Sequence, residues 1–426
     1  MMEMTLPQIR EGNKTAEQLF AERTARIQAA LELRQPDRVP IQLGFGYMLA
    51  EMGGITRQEQ HENGAKELEL LEQAALYYEP DAVMGLFNNP AAALALGDRM
   101  TRYPGHGLPA NGSFQFVEGE YMKPEDYDEF IADPADWGIR KYWPRVFTEL
   151  EGLAMLPPLG LAAFGTYGLG QLGILTAPPV ASALRALADA AEAQAGADAR
   201  AQGTVKRLAE LGFAPPLFMG SLVEAPFDFM SDTLRGMRGI MLDIHRRPEK
   251  LIAAMEKCLA FQLEMAINFR KATGLRVSFI PLHRGSDGFM SLPQFEKFYW
   301  PTLKAMMETM VENDIMPFVF YEGVWDQRLH YLAELPRGKT AGLFQFSDIF
   351  KVKEVVGDVM CIAGGMRNSL LQAGTPEEVR EWTRKVCKVV GKDGGFIMTT
   401  GIGEMEGCRP DLVKVWVEAT KEFGVY

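Results

Sequence analysis

Several residues that can donate or accept protons lie in the second half of one segment, "PFVFYEGVWDQRL", which covers residues 317–329. Its apolar start predicts a buried strand. Four reactive or aromatic side chains follow: Tyr321, Glu322, Trp325 and Asp326. Because a carboxyl group in an apolar, partly buried setting has a raised pKa and can act as a general acid, we expect Glu322 to be catalytic. The alternative assigns Glu322 to the first turn of a helix and Asp326 to a helix surface or cap.

Polar or aromatic residues also follow the other segments that we predict to be strands. They are Phe45, Tyr47, Asn88, Glu224, Asp228, His283, Arg284, Asp348 and Arg367. The carboxyl ends of parallel barrel strands share one face, where active sites lie, so these side chains are predicted to converge on Glu322. We expect His283, Asp348 and Asp326 to orient Glu322 or the substrate, and the remaining residues, with Tyr321 and Trp325, to bind the substrate. An apolar pocket wall is predicted from Phe45, Tyr47, Trp325 and the segment 163–173.

Alternating strands and helices must position these residues. The predicted strands are 39–47, 80–87, 215–222, 276–283, 316–321, 340–346, 359–365 and 394–400. Helical segments separate them, which is typical of parallel strands joined by helical crossovers. We therefore predict an α/β fold, a (β/α)8 TIM barrel with an N-terminal helical extension. The helical arm covers residues 1–34 and a single barrel domain covers 35–426, with an irregular insertion near 100–150.

An open, doubly wound sheet is the alternative architecture. Such a sheet that binds a dinucleotide carries a glycine-rich fingerprint between a strand and a helix. The segment "GLGQLG" at 168–173 matches the spacing, but Pro178 and Pro179 follow closely and no clean strand precedes it. The match is weak, and the barrel is favoured.

Helix starts carry their own signals. Thr15 and Gln18 have the spacing of a capping box, in which each side chain satisfies the backbone amide of the other residue. Ser291 and Gln294 repeat that spacing, and "TP" at 375–376 is typical of the first turn of another helix. These signals place helices directly after segments that cannot continue as strands.

One long run, Gly152–Leu184, has no charged residue. It contains four prolines and six glycines, which interrupt a membrane-spanning helix repeatedly. We expect a buried strand and a mobile, glycine-rich active-site segment there instead of a membrane span.

Composition excludes several classes of function. The net charge of −12 and the isoelectric point near 5.1 argue against a surface for nucleic acid or anionic membranes. The four cysteines lack paired spacing, which indicates free thiols in a reducing compartment. The first residues lack the apolar core of a signal peptide. We expect a cytoplasmic protein with no nucleic-acid partner and no membrane insertion.

Five longer stretches carry a family resemblance: "RIQAALELRQPDRVPI", "PLFMGSLVEAPFDFM", "SLPQFEKFYWPTLK", "CIAGGMRNSLLQAGTPEEVREWTRKV" and "GGFIMTTGIGEMEGCRPDLVKVW". They resemble the uroporphyrinogen decarboxylase family, in its corrinoid-dependent methyltransferase branch. The resemblance covers the chain from about residue 22 onward and is strongest after residue 212. It implies a single (β/α)8 barrel and a possible homodimer.

The residues that true uroporphyrinogen decarboxylases use are changed here. Those enzymes carry an arginine-bearing RQAGR-type loop after the first strand, whereas this chain has "QLGFGYMLAEMG", without arginine. Their last strand ends in Gly-His-Gly, whereas Ile402 replaces the histidine here. Because an acidic porphyrinogen would lack its cationic partners, we do not expect that activity.

The zinc ligands implied by the resemblance are also changed. Thiol-methylating members use a His-x-Cys pair and a later Cys, which fall at Tyr321, Gly323 and Ile402. Aryl-ether demethylating members have a Glu-Gly, matched here by Glu322 and Gly323, and a histidine 21 positions later, which is Leu343 here. A rearranged zinc set would have to come from His283, Glu322, Asp348 and Cys408. The metal therefore stays unassigned, and zinc would require this rearranged set.

The aryl-ether demethylating group is nevertheless the branch that the sequence resembles most. The resemblance implies transfer of a methyl group from a small methoxylated substrate to the Co(I) of a partner corrinoid protein. A methyl ether reacts only if its oxygen is protonated or held by a Lewis acid as the bond breaks, and Glu322 is the expected acid. No segment resembles the DxHxxG corrinoid-binding loop, so the cobalamin is expected on the partner protein.

Two other classes of function remain open. The chain could be a lyase or decarboxylase for another carboxylated substrate, gripped by Arg284 and Arg367. It could also be a non-catalytic binding barrel, because one fold supports many functions. Titratable residues clustered at the barrel mouth would argue against the second alternative.

Overall fold

The computed structural model describes residues 13–86, 89–158, 160, 168 and 170–426. The chain divides into two compact units. The first comprises Met1–Phe87, Gly203–Ala225 and Phe261–Tyr426, and the second comprises Asn88–Gln202 and Pro226–Ala260. The predicted domain limits, 1–34 and 35–426, stay a prediction.

Parallel strands form the centre of the first unit. Strands β1 (Gln42–Gly44) and β2 (Ala82–Met84) pair with each other. The other sheet has the order β11, β10, β9, β8, β7, β6, where the strands are β6 (Gly220–Leu222), β7 (Val277–Leu282), β8 (Met316–Tyr321), β9 (Ala341–Phe344), β10 (Cys361–Met366) and β11 (Phe396–Thr400). Strands β3 (Thr101–Pro104), β4 (Gly107–Leu108) and β5 (Gln115–Phe116) form a small sheet in the second unit.

Single parallel bridges link the two sheets of the first unit. Ile41, which directly precedes β1, bridges Met398 of β11, and Ala82 of β2 bridges Ala214, which precedes β6 along the chain. The α/β class is thereby confirmed, and the arrangement is TIM-barrel-like. The described strands do not form a continuous closed ladder, because pairing at these two junctions is limited to one bridge each.

Two prolines shorten one of the predicted strands. The predicted strand 215–222 begins with Pro215 and Pro216, which have no amide hydrogen to donate to a ladder. Pairing therefore starts only at Gly220. Strand β8, by contrast, has the predicted limits, Met316–Tyr321, and its Pro317 lies near the start of the strand.

Alternation along the strands builds the core. In β8, Phe318 belongs to a buried apolar cluster and Phe320 packs against it, whereas Val319 between them faces the other side of the sheet. The cluster also contains Phe279 of β7. Helix Ala16–Leu31 contributes Ile27 and Ala30 to the same cluster. The N-terminal helix is thus part of the core of the first unit.

The predicted helix starts are confirmed. Gln18 Oε1 accepts the Thr15 amide at 2.9 Å, which completes the capping box of the first helix. Ser291 and Gln294 form the second box. Helix Pro376–Val389 begins after Thr375, whose hydroxyl accepts the amide of Glu378.

The α-helices follow one another along the chain as follows: Ala16–Leu31, Met48–Gly53, Arg57–Glu62, Gly64–Tyr78, Ala91–Leu96, Tyr127–Ala132, Pro134–Trp137, Trp143–Val146, Pro178–Glu210, Pro226–Asp228, Gly236–Arg246, Pro248–Thr273, Leu292–Gln294, Trp300–Glu312, Leu329–Leu332, Ile349–Val356, Asn368–Ala373, Pro376–Val389 and Pro410–Phe423. Turns of 3₁₀-helix cover Pro124–Asp126, Thr148–Met155 and Gly170–Thr176. Wider π-helical turns cover Gly138–Tyr142, Phe229–Arg235 and Phe295–Tyr299. None of the helices in the described ranges is long and apolar enough to cross a membrane.

The uncharged run Gly152–Leu184 does not contain the predicted strand in its described parts. Residues 148–155 and 170–176 form 3₁₀ turns, and an α-helix begins at Pro178. Prolines at a helix start cost nothing, because the first amides of a helix have no partner within it. Residues 159, 161–167 and 169 lie outside the described residues, and with them most of the predicted pocket-wall segment 163–173.

A buried ionic network supports the amino-terminal ends of β1 and β2. Asp81 is fully buried, and its carboxylate accepts hydrogen bonds from Arg26, from Arg38 and from the amide of Ile41 at 2.7 Å. Burial alone would raise the pKa of Asp81, but the charges of the two arginines outweigh it and hold that pKa below its usual value. This end of the strands is therefore occupied by a structural network.

Candidate functional site

Glu322 and His283 come together at the ends of two paired strands. In the register of β7 and β8, Leu282 lies opposite Tyr321, and these two residues end their strands. His283 and Glu322 follow them directly, so the register brings these two residues next to each other. His283 Nε2 lies 3.6 Å from Glu322 Oε2, which is within ion-pair range but longer than a hydrogen bond. By strand alternation both residues are on the side of Phe279 and Phe320, toward the core cluster.

The pair is accessible to solvent. The side chain of Glu322 is 45% exposed and that of His283 is 32% exposed. Glu322 is therefore partly buried, as expected, and close to half of its side chain is exposed to solvent. A proton can be exchanged between the pair and water.

Glycine at position 323 allows the backbone to turn sharply after Glu322. Gly323 has a φ of +80°, and a Cβ atom there would lie 2.9 Å from the side chain of Ser286. The Gly323 amide donates to Gln345 Oε1 at 2.7 Å, and Trp325 Nε1 donates to the Glu322 carbonyl at 2.8 Å. Hydrogen bonds on both sides of the turn thus fix the backbone that carries the Glu322 carboxylate.

Tyr321 and Trp325 do not line the predicted pocket. Tyr321 stacks on Phe344 at 4.6 Å between ring centroids, and the Trp325 ring packs edge-on against Tyr321 and Tyr299. Both side chains are completely buried, and burial raises the pKa of the Tyr321 phenol well above its usual value. The predicted substrate contacts of Tyr321 and Trp325 are therefore wrong, because alternation places Tyr321 on the face opposite Glu322.

Phe45 and Tyr47 are buried as well. Phe45 packs against Tyr78 with 5.7 Å between ring centroids. The Tyr47 hydroxyl lies 2.8 Å from His61 Nε2, and the Arg57 guanidinium covers the Tyr47 ring at 4.7 Å. These two aromatic residues support the loop after β1 and do not form an open pocket wall.

Asp326 and Asp348 both accept backbone amides near the start of helix Ile349–Val356, and of the two Asp348 caps the helix. Asp348 caps helix Ile349–Val356 by accepting the Phe350 amide at 3.0 Å. Asp326 accepts the Asp348 amide at 3.2 Å. Each carboxylate keeps a second oxygen for other partners. Both residues line a cavity and are not part of the Glu322–His283 pair.

The remaining predicted residues lie in different places. Arg284 follows His283 directly and stacks over Phe289 at 5.4 Å. Glu224 is half-buried, and its amide donates to Gln262 Oε1 at 2.7 Å. Asp228 is fully buried and belongs to the second compact unit. Asn88 lies outside the described residues.

A cavity of about 700 Å³ opens at the carboxyl ends of β8 to β11. It is lined by Val324 and Asp326 after β8, Gln345 to Phe350 after β9, Arg367 to Ser369 after β10, Gly401 and Ile402 after β11, and Trp382 and Lys385 from helix Pro376–Val389. The strand ends therefore carry a second feature beside the Glu322–His283 pair. Of the predicted site residues, it includes Asp326, Asp348 and Arg367.

The residues present do not fit a protein-bound zinc ion. Within the described ranges, no three His, Cys, Asp or Glu side chains lie close enough together to hold a metal. Leu343 is buried in the core cluster, so it leaves the histidine position of the demethylating group apolar. Burial, with a smaller effect of the Glu51 charge, raises the pKa of the Cys408 thiol to about 12, so the thiolate that zinc requires is disfavoured.

Sequence inspection missed two further residues at the strand ends. Burial raises the pKa of the Glu67 carboxyl group, although the Leu86 amide donates to its Oε1 at 2.8 Å after β2. Arg57 pairs with both Glu51 and Glu406, which brings a cation near the end of β1. Both residues lie on helices, in sequence patterns that are typical of an exposed helix surface. Only their closeness in space to a strand end distinguishes them from other charged residues of those helices.

Comparison with known proteins identifies the family. A family model described as Uroporphyrinogen decarboxylase (URO-D) matches residues 174–423. The chain belongs to the uroporphyrinogen decarboxylase family. A uroporphyrinogen decarboxylase from Magnetococcus marinus is 25% identical over 199 residues, which are 46% of this chain and 54% of that protein. The chain thus spans about half the length of this curated relative of the uroporphyrinogen decarboxylase family.

The fold is shared with a solved structure. A methyltransferase from Methanosarcina mazei matches with a TM-score of 0.58 and 17% sequence identity, over 94% of this chain and 98% of that one. This likeness confirms the barrel-like architecture of this member of the uroporphyrinogen decarboxylase family. The branch of the family to which the chain belongs stays a prediction.

Proposed function

We propose that this protein is a corrinoid-dependent methyltransferase, which moves a methyl group from a small methoxylated substrate to the Co(I) of a partner corrinoid protein. The observation that carries the proposal is the Glu322–His283 pair, 3.6 Å apart at adjoining strand ends. The loop after β1 lacks the arginines that grip a porphyrinogen, and Ile402 replaces a histidine. The name of the Methanosarcina mazei relative, a methyltransferase that matches almost the whole chain, supports the same class.

The chemistry requires one proton from this chain. As the methyl carbon bonds to Co(I), the electron pair of the broken carbon–oxygen bond stays on the oxygen, which leaves as an alcohol or phenol once it is protonated. Glu322 or His283 donates that proton, and the other member of the pair stabilises the charge that results. Because both side chains are partly exposed, water restores the proton after each transfer. No step is assigned to a metal bound by this chain.

A decarboxylase or other lyase is the second candidate. Its supporting observations are the similarity to the Magnetococcus marinus enzyme and the position of Arg284, a cation adjacent in sequence to His283. In such a reaction Arg284 would bind the carboxylate and His283 would protonate the carbanion left by loss of carbon dioxide. This candidate predicts a carboxylated substrate and no methyl acceptor.

An assay with cob(I)alamin and a panel of methoxylated arenes separates the two candidates. The proposal predicts that methylcobalamin forms with at least one donor, together with one equivalent of the demethylated phenol. Release of carbon dioxide from a carboxylated substrate without methylcobalamin would favour the lyase. Folded protein that produces no methylcobalamin with any donor would overturn the proposed methyl transfer.

A further inference from the structure

The cavity at the ends of β8 to β11 contains four charged side chains, two of each sign. Asp326 and Asp348 bring two carboxylates, and Arg367 and Lys385 bring two cations. Within the described part of the chain, none of the four has an opposite charge within 4.0 Å. Opposite charges that line one cavity without pairing leave room for a ligand between them.

Aromatic rings hold the two cations in place. The Arg367 guanidinium lies over the Trp382 ring at 4.3 Å, and Lys385 Nζ lies over the Phe350 ring at 4.5 Å. Phe350 and Trp382 pack edge to face at 5.6 Å. Cation–π contacts restrict long side chains without neutralising them, so both cations remain available to an anion.

Backbone amides hold the two carboxylates in a similar way. The Phe350 amide donates to Asp348 Oδ1 at 3.0 Å, and the Asp348 amide donates to Asp326 Oδ1 at 3.2 Å. Each interaction uses one oxygen and leaves the charge uncompensated by a cation. The second oxygen of each carboxylate is therefore available to a cationic group.

The rest of the wall is apolar and open. Phe346 is 69% exposed, and Val324 and Ile402 are each 39% exposed. All three line the cavity. Exposed apolar side chains that line a cavity are typical of a site that buries an apolar ligand surface.

We propose that this cavity binds a small zwitterion, an amino acid with an apolar side chain. Its carboxylate lies between Arg367 and Lys385, its ammonium group faces Asp326 and Asp348, and its side chain covers Phe346 and Ile402. A ligand with a single charge would satisfy only one pair and would leave the other pair beside an apolar group. The proposal is independent of methyl transfer at Glu322, because neither Glu322 nor His283 lines the cavity.

Isothermal titration calorimetry with three compounds of one shape tests the proposal without any corrinoid. The compounds are L-phenylalanine, 3-phenylpropionate and phenethylamine, which carry both charges, the negative charge and the positive charge, respectively. The zwitterion is expected to bind at least about tenfold more tightly than either singly charged compound. Equal or tighter binding of a singly charged compound, or no heat from any of the three, would overturn the proposal.

Two substitutions locate the site. Arg367→Gln is expected to lower the affinity for L-phenylalanine and 3-phenylpropionate by about tenfold and to leave the affinity for phenethylamine unchanged. Asp326→Asn keeps an oxygen that can accept the Asp348 amide. It is expected to lower the affinity for L-phenylalanine and phenethylamine and to leave the affinity for 3-phenylpropionate unchanged.

Matched controls separate local contacts from net charge. Lys388→Gln removes the same charge as Arg367→Gln, and Asp358→Asn removes the same charge as Asp326→Asn, but neither residue lines the cavity. Both controls are expected to leave the affinity for L-phenylalanine unchanged. If they weaken it as much as the cavity variants do, binding follows the net charge of the protein and the proposed site is wrong.

Discussion

Replacement of Glu322 by glutamine separates catalysis from stability. Glutamine has nearly the same size and keeps the backbone contacts of this position, in which the amide faces the Leu282 carbonyl at 3.3 Å and the carbonyl accepts Trp325 Nε1. The lost carboxylate is 45% exposed and lies 3.6 Å from the imidazole of His283, which is partly exposed. Since exposed ion pairs contribute about 0–1 kcal/mol, the free energy of unfolding should change by less than about 1 kcal/mol.

The rate of methyl transfer should change far more. A positioned general acid contributes roughly 10²–10⁴-fold, which corresponds to about 3–5 kcal/mol of activation free energy. Glutamine cannot donate a proton to the departing oxygen, so kcat with cob(I)alamin and a methoxylated donor should fall by that factor. The loss should be smaller for donors with more acidic leaving phenols, because such phenolates leave without a proton.

The assay follows the absorbance change from cob(I)alamin to methylcobalamin, and urea unfolding of the same preparations gives the stability. Glu354→Gln is the matched control, because it removes the same charge from an exposed position on helix Ile349–Val356. A fall in kcat below about tenfold for Glu322→Gln would refute the acid role. An equal fall in kcat for the Glu354→Gln control would also refute the acid role. So would a loss in the free energy of unfolding as large as the rise in activation free energy.

Three further outcomes follow from buried groups. Asp81→Asn should lower the free energy of unfolding in urea by about 3–5 kcal/mol, because two buried arginines lose their countercharge, and an unchanged midpoint would contradict this. Glu67 has a folded-state pKa raised above 4.5, so the folded protein holds that proton more tightly and stability falls as pH rises from 4.5 through the folded-state pKa. Glu67→Gln should remove that decline in a series of urea titrations at different pH. Cys408→Ala should retain activity, and a disulfide reagent should label the wild-type thiol at neutral pH only after unfolding, since burial raises the Cys408 pKa to about 12.

Local sequence signals predicted the elements well. The capping boxes at Thr15 and Ser291 and the limits of β8 are confirmed because they depend on residues within a few positions of each other. The described parts of the run Gly152–Leu184 contain helical turns in place of the expected strand, because an uncharged, apolar run has no periodicity that separates a strand from a helix. One of its prolines, Pro178, begins a helix.

The site was predicted with mixed success for a different reason. His283 and Glu322 were expected near each other because both follow strands, and they are 3.6 Å apart. Arg367 lines a cavity at the predicted end of the strands, but its partners there, Trp382 and Lys385, come from a helix surface. A helix position that points toward a strand end has the same local pattern as one that points to solvent.

The amino-acid sequence by itself determined the strand–helix order and the polar residues at the ends of the strands. Only the tertiary structure decided which of those residues share a side of the sheet. Strands of a parallel barrel are buried on both faces, so β8 is apolar at every position and its sequence does not reveal which alternate residues face inward. The register of β8 with its neighbours places Tyr321 against Phe344 and Trp325, and Glu322 beside His283.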